Sequence, residues 1–109
     1  MSGKIDLLQG TLDLLILKTL SWGPAHGYAI ARWIEETTDD VMAVEEGALY
    51  PALARLLKRG WIQAEWQRSD LNKDIKVYEL TVSGRAELKK RTADWAALTT
   101  AMDKVLKAR

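Results

Sequence analysis

At Gly60 the spacing of apolar residues changes from about four to two, and that change restricts the folds open to the chain. Before it, in EEGALYPALARLLKRG (45–60), Leu49, Leu53 and Leu56 fall at i, i+4 and i+7, and Leu57 widens the stripe. Beyond it, WIQAEWQ (61–67) and IKVYELT (75–81) carry the aromatic and β-branched residues that suit a pleated surface. The polar, turn-rich RSDLNKD (68–74) between them makes the two runs a hairpin. A chain of 109 residues has room for one domain, so helix and hairpin must share a core.

Two further helices precede this pair. Residues 6–21 carry stripes of Leu8, Leu12, Leu15 and Thr19 and of Leu7, Leu14 and Leu17, so that helix is covered on more than one side. Residues 26–37 place Tyr28, Ile30, Ala31 and Ile34 at helical spacing. VMAV (41–44) suits a minor strand. The third helix spans 47–59, with Pro51 in its first turn, where a missing N–H costs no internal bond, and Gly60 at its end. After the hairpin, Ser83 caps a long helix from Gly84 onward, with Glu87 placed for an N-terminal interaction. The order helix–helix–helix–hairpin is that of a winged helix-turn-helix, a mainly α fold with a small β-hairpin. The chain divides into 1–82, the winged unit, and 83–109, an additional long C-terminal helix. On that helix Leu88, Trp95 and Met102 recur every seven residues, with Leu98 and Val105 three residues after the last two. Arg91 interrupts this seam, whose natural partner is the same helix of a second copy.

The chain has no cysteine, which excludes disulfides, thiolate metal sites and a cysteine nucleophile. His26, the single histidine, suits a helix start better than a metal site, and no metal or cofactor is expected. No paired-carboxylate cleft, nucleophile–base set or Gly-rich phosphate loop supports an enzyme. The apolar run LDLLILKTL is too short to span a bilayer, and MSGKIDLLQG does not read as a signal peptide, so a cytoplasmic location is expected. The net charge of +1 hides a segmented pattern. Six acids and no Lys or Arg lie between Trp33 and Ala54, whereas basic residues outnumber acids from Arg55 to Lys76 and from Arg85 to Arg109. That pattern permits nucleic-acid binding provided the acids form a solvated face turned away and the third helix presents Arg55.

HGYAIA (26–31), GALYPALARL (47–56), RGWI (59–62) and YELTVSGRAEL (78–88) resemble the PadR family of bacterial transcriptional regulators, with likeness from DLLQGTLDLLIL (6–17) onward. The resemblance implies a homodimeric winged-helix repressor of the short-tailed branch, occluding an inverted-repeat operator. Helix 47–59 would enter the major groove and wing 68–76 would touch backbone or minor groove. Carried onto this chain, the DNA-contact candidates are Tyr28, Gly47, Ala48, Tyr50, Pro51, Arg55, Lys73 and Lys76. The dimer candidates are Leu88, Trp95, Leu98, Met102 and Val105. Some relatives bind flat aromatic compounds near the dimer interface, which makes Trp95 a candidate face for a small planar aromatic effector, against its alternative as a packing knob. Tyr50 could instead be a core aromatic, Arg55 a solvated arginine, and Tyr28 a packing residue under the third helix. The chain departs from the family pattern at Ala48, often Ser or Thr, at Leu57, often Glu, and in its sparsely basic wing. A winged-helix module for protein–protein interaction is the alternative function.

Overall fold

The computed structural model describes residues 9–109. Its elements are α1 (Gln9–Leu20), β1 (Ala25–His26), α2 (Gly27–Thr37), α3 (Glu46–Lys58), β2 (Ile62–Arg68), β3 (Asp74–Leu80) and α4 (Val82–Leu106). The expected first helix extended to residue 6, and positions 6–8, including Leu7 and Leu8, lie outside the described residues. The three strands pair antiparallel in the order β1-β3-β2, with Ile62 opposite Leu80, Arg68 opposite Asp74 and Ala25 opposite Tyr78. Alternation along the hairpin puts Ile62, Tyr78 and Leu80 into the core and Gln63 and Glu79 outside.

Three helices close over that sheet face. Ile16, Leu17 and Leu20 from α1 meet Ile30 and Ile34 from α2 and Leu49, Leu53 and Leu56 from α3, all essentially without exposure. Each such side chain contributes roughly 1.5–3 kcal/mol by leaving water. Leu57 packs partly against this core, which accounts for an apolar residue there. Among the described residues no helix is long and apolar enough to cross a membrane.

Several local expectations change. The third strand is Ala25–His26, whereas in 41–44 only Met42 forms an isolated bridge. Residues 41–44 are held instead by the Val44 N–H donating to Glu35 Oε2 at 3.0 Å. α3 starts at Glu46, one residue early, so Pro51 sits in its second turn and the Gly47 carbonyl loses its ladder partner. Gly47 is exposed, so solvent reaches that carbonyl. The end of α3 is as expected. Gly60 takes φ +74, its N–H bonds to Leu57 O at 3.0 Å and the Trp61 N–H to Leu56 O at 3.1 Å, the Schellman arrangement. α4 is capped by Thr81, not Ser83: Thr81 Oγ1 accepts the Gly84 N–H at 3.0 Å. Glu87 pairs with Arg91 at 2.7 Å rather than with the helix start.

Candidate nucleic-acid interface

α2 and α3 begin side by side, and the reason is Gly27. A Cβ there would stand 2.9 Å from the Tyr50 hydroxyl, so the absence of a side chain lets the Tyr50 ring lie on α2. His26 caps α2, its Nδ1 accepting the Ala29 N–H at 3.2 Å, and its ring stacks near Tyr28. His26 therefore serves the helix start. Across from these residues the wing supplies Trp66, Ile75, Lys76 and Tyr78, and together they enclose an open cleft of about 480 Å³. Tyr28 and Trp66 are each 68% exposed and Tyr50 is 47% exposed. Lys76 Nζ lies 5.9 Å from the Trp66 ring centre and 5.8 Å from that of Tyr78, which keeps the cation in the cleft. Burial of Tyr78, and then the neighbouring Tyr50, push the Tyr78 phenol above its ordinary pKa.

Tyr28, Tyr50 and Lys76 are thus brought together, with the exposed Gly47, Ala48 and Pro51 on the first turns of α3 next to Tyr50. The Ala48 and Leu49 N–H groups bond to the Glu45 carbonyl at 3.0 and 2.9 Å, which leaves the N–H groups of Glu46 and Gly47 at the helix start for an anion. Trp66 completes the group. In the sequence Trp66 is only a strand residue, because alternation assigns it a face without saying what that face meets.

Arg55 does not join this group. Its guanidinium donates to Asp13 Oδ1 on α1 at 2.8 Å, with the Asp13 side chain 9% exposed and that of Arg55 29%. Its Nε is buried without a partner. Arg55 is thus turned toward α1, because a buried carboxylate there needs a cation. Three of the six acids expected to turn away do not turn from the Tyr28–Tyr50 face. Glu35, Glu45 and Glu46 line a second hollow with Tyr28, Arg32 and Tyr50, so they border the same face. Lys73 is exposed at the wing tip, where its N–H donates to Ser69 Oγ and its carbonyl accepts from Ser69 N–H. Arg68 is tied up by Asn72 and Asp74.

On α4, Leu88 is half-buried and packs against the chain's own core. Arg91, the apparent interruption, lies over the Trp61 ring at 5.0 Å. Past it, Trp95, Leu98, Met102 and Val105 are all exposed apolar residues. Trp95 and Leu98 form an open groove of about 310 Å³ with Gly10, Thr11 and Leu14 of α1. Among the described residues no cluster of three or more His, Cys, Asp or Glu could hold a metal ion.

The model of the PadR-like family of transcriptional regulators matches residues 16–90. A transcriptional regulator from Clostridium thermocellum is 30% identical with a TM-score of 0.84, over 91% of this chain and 96% of that one. A PadR family regulator from Eggerthella lenta is 32% identical with a TM-score of 0.79, over 93% and 86% of the two chains. An uncharacterised protein from Lysinibacillus sphaericus is 29% identical over 90% of each chain. With its three helices, hairpin wing and long last helix shared with these structures, the chain belongs to the PadR-like family of DNA-binding transcriptional regulators.

Proposed function

We propose that the chain acts as a homodimeric repressor in the cytoplasm, occluding a promoter by binding an inverted repeat with one α3 in each of two successive major grooves. The observation that carries this reading is the cleft where Tyr28, Tyr50, Trp66 and Lys76 converge beside the free N–H groups of α3. Tyrosine hydroxyls, the indole N–H and a lysine all donate, and none accepts as a carboxylate would, so the cleft suits phosphate oxygens. Gly47, Ala48 and Pro51 keep the start of α3 slim enough for close approach to a base edge or the backbone. Lys73 at the wing tip adds a phosphate contact, and Arg55 orients α3 through Asp13 without touching DNA. Trp95, Leu98, Met102 and Val105 form the seam with the second copy. The groove beside Trp95 is the place for a planar aromatic effector, since a ligand there would lie between α1 and α4.

The test is selection of duplexes from a random-sequence library, followed by titration of the winner at two salt concentrations. A palindromic site bound with affinity that falls steeply as salt rises is expected. No enrichment, or a protein complex retained in high salt with no DNA shift, would instead favour an interaction module.

A further inference from the structure

Gly60 and Trp61 end α3, begin the wing and also hold the start of α4. The Gly60 carbonyl accepts two hydroxyls, Thr81 Oγ1 at 2.7 Å and Ser83 Oγ at 2.9 Å. The Trp61 carbonyl accepts the Thr81 N–H at 3.1 Å. Because the Thr81 hydroxyl also accepts the Gly84 N–H, one side chain both caps α4 and ties it to the end of α3. Gly84 is required by the contact: a Cβ there would stand 1.9 Å from the Trp61 carbonyl oxygen. Two turns later the Arg91 guanidinium lies 5.0 Å over the Trp61 ring, as does that of Arg59. Arg91 is itself held by Glu87 at 2.7 Å. Beyond Arg91 every residue of α4 is exposed. Two backbone units therefore fix both the C-terminal end of the groove-entering helix and the root of the dimer-forming one.

We infer that the contact of Gly84 with Gly60–Trp61 is a fulcrum that determines which half-site spacing the dimer accepts. The inference rests on the homodimeric DNA-binding reading above. From Gly84 to Leu106 α4 is roughly 33 Å long at a rise of about 1.5 Å per residue. A tilt of about 10° at Gly84 displaces its far end by about 6 Å, more than the rise of about 3.4 Å per base pair. An added methyl group at Gly84 must either push α4 off the Trp61 carbonyl or tilt it. The distance between the two copies of α3 then changes by about one base pair or more, while each reading head stays intact.

Gly84→Ala is compared with the wild type on three kinds of duplex: the site selected by the wild type, that site with its spacer lengthened or shortened by one or two base pairs, and an isolated half-site. We expect affinity for the original spacing to fall about tenfold or more. The preferred spacing moves by at least one base pair, and half-site affinity stays unchanged. The double variant Thr81→Ala/Ser83→Ala removes the hydroxyl bonds to Gly60 without adding atoms. It is expected to flatten the spacing preference, and it decides alone if Gly84→Ala does not fold. Variants that keep the wild-type spacing optimum and its discrimination overturn the inference and leave the DNA-binding reading standing. A wild type that binds no duplex overturns both.

Discussion

Gly27 and Tyr50 make one unit, on successive helices in sequence and in contact in space. Gly27→Ala puts a methyl group 2.9 Å from the Tyr50 hydroxyl and must displace the phenol. Gly27 opens α2 and the clash falls on a half-exposed phenol, so stability is expected to hold while DNA affinity falls several-fold. Urea unfolding and a DNA titration separate the two effects, and unchanged affinity would remove Tyr50 from the interface. Tyr78 gives a prediction in alkali. Its phenol titrates above the ordinary value of 10.0 because the folded state favours the neutral form. Its stabilisation is therefore complete below that pH and is lost as pH rises through the folded-state value. Tyr78→Phe should lessen the fall in stability seen by thermal melts above pH 10, and an identical fall would assign it to other groups. The HGY stretch was legible as a motif, but the reason for its glycine was not, because the ring that fills the space comes from α3.

At the level of elements, α1 and α3 are joined by Asp13 and Arg55. Apolar periodicity reads Asp13 as a break in a leucine run, and it offers no means of pairing it with a residue so far along the chain. For the same reason Arg55 looked free for DNA. Asp13→Ala leaves a largely buried guanidinium unpaired and should cost about 3 kcal/mol in urea unfolding. A loss below about 1 kcal/mol would mean that solvent already satisfies Arg55. The start of α3 holds a second opposition. Glu46 favours the positive end of the helix by roughly 0.3–1 kcal/mol, yet it borders the face offered to phosphate. Glu46→Gln should therefore lower stability slightly and tighten DNA binding a few-fold at low salt. Binding that weakens instead would place Glu46 among the contacts. The helices and hairpin were legible to within a few residues because each has its own period. The starts of α3 and α4 were not, because Glu45 opens α3 with no side-chain cap bond to mark it, and the tertiary bond from Thr81 to Gly60 helps to select Thr81 over Ser83 as the cap of α4.

The described residues measure 60 × 32 × 21 Å, elongated by a last helix whose residues beyond Arg91 are all exposed. The seven-residue spacing marks an apolar stripe on this helix. It could not show that Leu88 faces inward or that Arg91 serves Trp61, since a repeat does not distinguish a chain's own core from a partner's. Trp95→Asp would place two charges in the seam and should give monomers by sedimentation, with weaker operator binding because the half-sites are no longer held together. A dimer that persists would put the contact elsewhere. Two reading heads held at a fixed separation by α4 would each shield DNA backbone, and hydroxyl-radical footprinting of the selected duplex reads both at once. Two protected backbone windows related by a dyad are expected, their centres about one helical turn apart. One window, or protection with no dyad, would contradict it.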